Sequence, residues 1–418
     1  MPEVCVRHFI FVSMTSKPYY FNLYLNAAIS IVESYKGEVP LNIFLKKYFS
    51  ENKKLGARDR RKVSSLCYYY FRLGKAALPE LSTKDKILAG TFLCENETSE
   101  FLEHYYPEWN KKITETLSKK ETLLKKQINT NNLFPFADEL SEGINTKNFY
   151  QSFFVQPDLF LRIRPKVRMG VLKKLESSKL PYQLLVDDCV ALPNTTKVEE
   201  FFTIDKEVVV QDYNSQKVLN FFKPQNATFK TPLTPAWDCC AASGGKSILL
   251  YDIFNQRIDL TISDIRPSIL FNLHQRFIKA GIKTYNYFIA NLSSKEFNTT
   301  LPKEQKQQLK PAIIICDAPC TGSGTWSRTP EQLFFFKQEA IAQYSEKQKS
   351  IVSNAVPLLR NDGAFVYITC SVFKKENEEV VDFIREKFKL ELVQQELLKG
   401  YDKKADSMFV AIFRKTID

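Results

Sequence analysis

From about residue 232 to the C-terminus, short apolar runs alternate with amphipathic stretches, and no other feature constrains the fold as much. The strand-like runs are Ala236 to Cys240, Asp259 to Ile262, Asn286 to Ile289, Ala312 to Cys316 and Ala364 to Ile368. Between them, Ser247 to Phe254, Pro267 to Ala280 and Ser345 to Leu359 repeat with a helical period. Such alternation predicts an α/β fold over residues 231–418, a mainly parallel sheet with helices on both faces. Met408 to Phe413 (MFVAIF) is expected as a closing edge strand.

The upstream half reads differently. Residues 20–140 show helical spacing (Leu23, Ala27, Ile31, Val32; then Leu41, Phe44, Leu45) with no strand pattern, so an all-helical domain is expected. A basic turn from Lys53 to Lys62 holds Gly56, where one helix ends before the next, and Lys125 to Asn132 (KKQINTNN) reads as a linker. Over 150–230 a small α+β unit is expected, with Asp158 to Ile163 and Tyr182 to Leu185 as strands around a helix from Val167 to Leu175. Residues 159–175 carry six basic and no acidic side chains, so Arg162, Arg164, Arg168 and Lys174 are expected to track RNA phosphates. Residues 1–19 are expected to be a flexible extension, with Met14 as an alternative start.

Composition narrows the function class. The 418-residue chain carries 59 Lys and Arg against 47 Asp and Glu, a formal charge of +12, which favours a polyanionic partner. Nine cysteines form no C-x-x-C pair and there are three histidines, so no zinc site is expected. An odd cysteine count without framework spacing fits a reducing, cytoplasmic setting. Val4 to Met14 is too short to span a bilayer, so no membrane partner is expected, and the chain is taken as a monomer.

Chemistry gathers where the strands end. Ala241 to Lys246 (AASGGK) is a small-residue loop opening a helix, where a ligand can approach backbone N–H groups. Asp264 closes the next strand, 19 positions after Gly245, where a carboxylate can accept from two ribose hydroxyls, and Asn291 follows the third strand beside a possible adenine edge. These contacts suit a nucleoside such as S-adenosylmethionine (SAM). Cys239, Cys240 and Cys316 sit within strand runs and are expected in the core, whereas Cys320 and Cys370 leave strands and enter loops. Glu376 to Glu378 (ENE) is expected to open a helix with carboxylates at its positive end. A thiolate adding at carbon 6 of a pyrimidine makes carbon 5 nucleophilic toward a sulfonium methyl, and a base must then remove the carbon 5 proton. Spacing alone leaves either cysteine as the attacking group.

The stretches CAASGGKS, DAPCTGSG, YITCS and ENE, with Val210 to Gln216 (VQDYNSQ) upstream, resemble the RNA cytosine-5 methyltransferase family of the RsmB/NOP type. The likeness is greatest to its bacterial ribosomal-RNA branch, and the helical part with its Asp59-Arg60-Arg61 turn resembles that branch's NusB-like domain. The resemblance implies a Rossmann-like class I SAM-dependent sheet and methyl transfer from SAM to carbon 5 of a cytosine, in ribosomal RNA. It implies Cys370 as nucleophile, Cys320 as the residue needed for product release, and Asp317 as the group orienting cytosine. It places Cys240, Ala241, Ala242, Ser243, Gly244, Gly245, Lys246, Asp264, Asn291 and Asp317 around SAM. Arg328 is implied on the RNA backbone or as a shaper of the pocket. Ser243 stands where the family has proline, Asn291 where it has an acid, and Asp406-Ser407-Met408-Phe409 where it has Asp-Gly-Phe. Two other readings stand beside this one. An RNA-binding assembly factor could retain the domain as an inactive scaffold, and a DNA cytosine methyltransferase would use the proline-cysteine pair as its nucleophile.

Overall fold

The structure, a computed structural model, describes residues 17–223, 233–297 and 309–416. The expected extension and the start at Met14 lie outside these residues, except that Lys17 to Tyr19 already belong to the first helix. The expected boundary at 230/231 lies outside them too.

Residues through Pro135, together with Thr329–Phe335, form one compact helical unit. Its longer helices are Lys17–Ser34, Leu41–Glu51, Ala57–Arg72 and Thr83–Cys94. Leu25, Ile31, Leu45, Val63, Leu66 and Phe71 face inward at helical spacing and make its core. The basic turn contains a helix start. The Gly56 N–H donates to Asp59 Oδ2 at 3.0 Å, and Tyr24 donates to Oδ1 of the same carboxylate at 2.6 Å. Lys125 to Asn132 is not a linker. Ile128 is buried, and backbone bonds join Leu78 to Gln127 and Asn129 to Ala76. The polar composition of this run hid its one anchoring side chain.

The second unit comprises Phe136–Arg328 and Phe336–Asp418. It holds both sheets, so the small α+β element expected over 150–230 packs in the same unit as the large sheet. Its first sheet contains β1 (Leu159–Ile163), β2 (Gln183–Leu184), β3 (Cys189–Leu192) and β4 (Val208–Val210), antiparallel in the order β2-β3-β1-β4. The helix Arg168–Ser177 covers it through Val171 and Leu175.

The second sheet has seven strands: β5 (Thr234–Asp238), β6 (Ile258–Asp264), β7 (Asn286–Ile289), β8 (Ile313–Asp317), β9 (Ala364–Thr369), β10 (Glu391–Leu398) and β11 (Met408–Arg414). Their order is β10-β11-β9-β8-β5-β6-β7; β11 pairs antiparallel with β10 and with β9, and the other pairings are parallel. The expectation for Met408 to Phe413 needs correction, because β11 is interior and β10 is the edge. β10 (ELVQQELL) escaped notice because most of its side chains face solvent. One sheet face packs Ile314, Phe365 and Tyr367 against the helices Glu339–Ala355 and Glu378–Phe388. The other packs Ile313, Ile315 and Val366 against Leu249 and Leu250 of the helix Gly245–Ile253. Burying each such side chain stabilises the fold by about 1.5–3 kcal/mol. That packing fixes where the carboxyl ends of β5, β6, β8 and β9 deliver their loops. No described helix is long and apolar enough to cross a membrane.

Candidate active site

The loop after β5 turns sharply at Gly244, whose φ of +81° suits glycine. A Cβ there would lie 2.8 Å from Phe277 and 2.9 Å from Leu273, so a side chain would push this loop off the helix Pro267–Ala280. Asp264, at the end of β6, holds the loop from the other side by accepting the Ala242 N–H at 3.0 Å. Burial acts to raise the pKa of Asp264, but bonds from Arg266 and from the Ala242 N–H hold it below the ordinary carboxylate range. Asn291 is exposed and folds its Oδ1 onto the Ser293 N–H and hydroxyl.

Asp317 ends β8 and accepts from Lys246 Nζ at 2.5 Å. Burial pushes the Lys246 ammonium down, yet the adjacent Asp317 carboxylate more than offsets this and leaves it raised. Three residues on, Cys320 Sγ lies 3.2 Å from Cys370 Sγ, just past β9. The bond to Cys370 and then burial push the Cys320 thiol well above its ordinary pKa. In this contact either sulfur can be the donor.

A buried polar web sets this thiol pair. Glu376 accepts from the Thr321 N–H and hydroxyl, from the Ser371 hydroxyl at 2.6 Å and from Gln348 at 2.9 Å. Asn377 accepts from Thr369 and donates to the Ser371 carbonyl and to Ser141. Glu376 and Asn377 therefore lock the two cysteine loops together instead of decorating a helix start. Only Glu378 begins the helix. Gly324 completes the lock: its N–H donates to the Cys370 carbonyl at 2.8 Å, and a Cβ would sit 2.2 Å from the Ser407 carbonyl oxygen.

Two cavities meet at these groups. The larger, about 390 Å³, is lined by Cys240, Ala242, Asp264, Asn291, Pro319 and Cys320 among others. The smaller, about 250 Å³, is lined by the Ala241–Lys246 loop, Asp212, Thr325 and Asp406 among others. Asp317, Cys370 and Ala242 line both. A third cavity, about 400 Å³, lies away from both thiols, between Pro235, Asp259, Tyr285 and Pro311, and gathers no comparable set of reactive side chains. The larger cavity fits a nucleoside-type methyl donor: a carboxylate stands ready for hydroxyl groups, and Ile265, Leu292 and Pro319 offer apolar walls to a flat ring.

Arg162, Arg164 and Arg328 were expected to meet RNA, and the first two need correction. Arg162 and Arg164 are 5% and 7% exposed and share one carboxylate, Asp252, at 2.6 Å each. They face inward because alternate residues of β1 share one side of the strand, and that side is buried. Arg328 is engaged by Asp212 and Asp406 at 3.2 Å and by the Asp158 carbonyl, which leaves it shaping the smaller cavity. Burial and then the charge of Asp212 raise the Asp406 carboxyl to about 7. Arg168 and Lys174 are partly exposed, each beside a carboxylate, Asp188 and Glu207 respectively. Sequence reasoning missed the Asp212–Arg328–Asp406 cluster and the Lys246–Asp317 pair. The sequence named Lys246, Asp317, Arg328 and Asp406 singly, in CAASGGKS, DAPCTGSG, the SRTPE run and Asp406 to Phe409, but carried no sign of which would pair.

Residues 221–414 match the family described as 16S rRNA methyltransferase RsmB/F. This part of the chain is an RsmB/F-type methyltransferase domain. A probable ribosomal RNA small subunit methyltransferase B of Bacillus subtilis is 29% identical over 203 residues, covering 48% of this chain and 42% of its own length. Ribosomal RNA small subunit methyltransferase F of Vibrio campbellii is 24% identical over 229 residues, covering 51% and 46%. The chain thus aligns with less than half the length of these curated relatives. In fold, the crystal structure of PH0851 superposes with a TM-score of 0.67 at 18% identity, over 96% of this chain and all of that one. The NSun6 structure from Pyrococcus horikoshii, solved with SFG, superposes at 0.51 and 14% identity over 65% of this chain and 94% of its own. The seven-stranded sheet is that of the SAM-dependent methyltransferases, and SAM is the cofactor of this domain type.

Proposed function

We propose that this chain methylates carbon 5 of a cytosine in RNA, ribosomal RNA first among candidates, through a covalent bond to Cys370. The observation that supports it is the thiol pair, 3.2 Å apart, at the junction of a cofactor-sized cavity and a smaller one. SAM supplies an electrophilic methyl group when bound in the larger cavity.

The protein's own groups then divide the work. The Cys370 sulfur adds to carbon 6 of a base in the smaller cavity. Asp317, with Lys246 beside it, orients the base through ring nitrogen 3, across the ring from carbon 6, and stabilises the charge that develops there. Cys320 stands beside the new bond, where it serves the later loss of the carbon 5 proton and release of Cys370. The names of the relatives favour ribosomal RNA, and the positive charge of the chain suits any RNA.

The test is a denaturing gel with SAM and RNA. Cys370→Ala removes the attacking sulfur, so no protein–RNA adduct forms. Cys320→Ala permits attack and methylation but stalls elimination, so an adduct accumulates. The reverse pattern would make Cys320 the nucleophile. Full activity of both variants without adducts would end the covalent reading.

A further inference from the structure

The three cysteines expected merely to fill the core lie together. Cys239 and Cys240 follow β5, Cys316 is in the neighbouring parallel strand β8, and their three sulfurs lie within 4.8 Å of one another. None is in a disulfide. We propose that Cys239, Cys240 and Cys316 form a three-thiolate site for a thiophilic divalent cation of the zinc class.

Geometry supports the proposal first. Zinc–sulfur bonds of about 2.3 Å place coordinated sulfurs about 4 Å apart, so little side-chain movement is needed to close on an ion. Access supports it next. Cys239 and Cys316 are sealed, but Cys240 is only partly buried and lines the larger cavity, which gives an entering ion a path. On binding, three S–H bonds are lost, three sulfur–metal bonds form, and three protons pass to solvent. No oxidant or reductant takes part.

Spacing could not reveal this site. The C-x-x-C rule looks for ligands within one turn, whereas two adjacent strands assemble this set from residues 76 positions apart.

Cobalt(II) serves as the spectroscopic probe, titrated into the full-length protein carrying Cys320→Ser and Cys370→Ser, so that the catalytic pair cannot contribute thiolates. One equivalent should bind with an intense thiolate-to-cobalt charge-transfer band, and one equivalent of zinc should abolish the band. Adding Cys316→Val, close in volume, or Cys240→Ala, at the cavity wall, should remove the band while circular dichroism stays that of the parent. Because the readout is metal binding, it is independent of whether the chain methylates RNA. No band in the parent, or a band that survives in a folded Cys316→Val or Cys240→Ala variant, overturns the proposal.

Discussion

Two pairings of opposite charge in the same unit look alike in sequence and behave differently in structure. Asp252 is sealed between Arg162 and Arg164. The three side chains are 6%, 6% and 9% exposed, and the guanidiniums spend further donors on Gln211 and on the Asp205 and Ala280 carbonyls. Asp317 meets Lys246 through one oxygen, keeps 27% of its side chain exposed, and lines both cavities. In the first case the donors are sealed inside the protein, all bonded there except the buried Arg162 Nη2, so none is offered to a ligand at the surface. In the second, one partner balances the charge while the rest faces open space. The lesson is that basic density marks a binding face only where donors are left over.

The largest effect on stability should come from the sealed pairing. Asp252→Ala strands two buried guanidiniums and should lower the unfolding free energy by about 3–5 kcal/mol. Chemical denaturation would show it, and a loss below 1 kcal/mol would mean the arginines find water instead. Lys246→Met should do the opposite. Stability should shift by no more than about 1 kcal/mol, because the abandoned carboxylate can reach solvent, while turnover should fall by about 10²–10³-fold. A variant that unfolds but turns over normally when folded would erase the distinction between the two sites.

What the sequence disclosed follows the same divide. Periodicity located β5 to β9: four of them because a buried strand is largely apolar, and the mostly exposed β7, Asn286–Ile289, through its Tyr287, Phe288 and Ile289. It located Cys320, Cys370 and Asp317 at one edge, because strand ends are where such sheets place ligands. It could not say which way Arg162 and Arg164 point, since orientation depends on the partner Asp252, 90 and 88 positions away in the chain. Nor could it see Glu376 turn inward, because its four donors come from three separate segments. Edge strand β10 was lost because exposed Gln394, Gln395 and Glu396 interrupt its apolar residues at the centre.

A smaller effect is expected at Asp264. Its carboxylate already serves the Ala242 N–H and Arg266, and Arg266 is 56% exposed and able to swing aside. Asp264→Ala should weaken SAM binding by about 1–3 kcal/mol, the cost of unpaired ribose hydroxyls plus a loosened loop. Calorimetry would measure it, and unchanged affinity would leave Asp264 as a loop clamp only.

The smallest effect should come from Arg168 and Lys174, the basic residues of the original set that still reach the surface. Each is balanced by a carboxylate, Asp188 at 2.6 Å and Glu207 at 2.7 Å. An RNA phosphate must therefore displace an existing partner, and the net gain is the difference between two exposed ion pairs, each worth little. Neutralising both as Arg168→Gln and Lys174→Gln should flatten the slope of log affinity against log salt by at most about 1. A change near 2 would mean that both cations abandon their carboxylates for phosphate and that this face is an RNA surface after all. No change would place them with Arg162 and Arg164, as cations whose partners lie within the protein, and would move the search for the phosphate-tracking face to other basic residues.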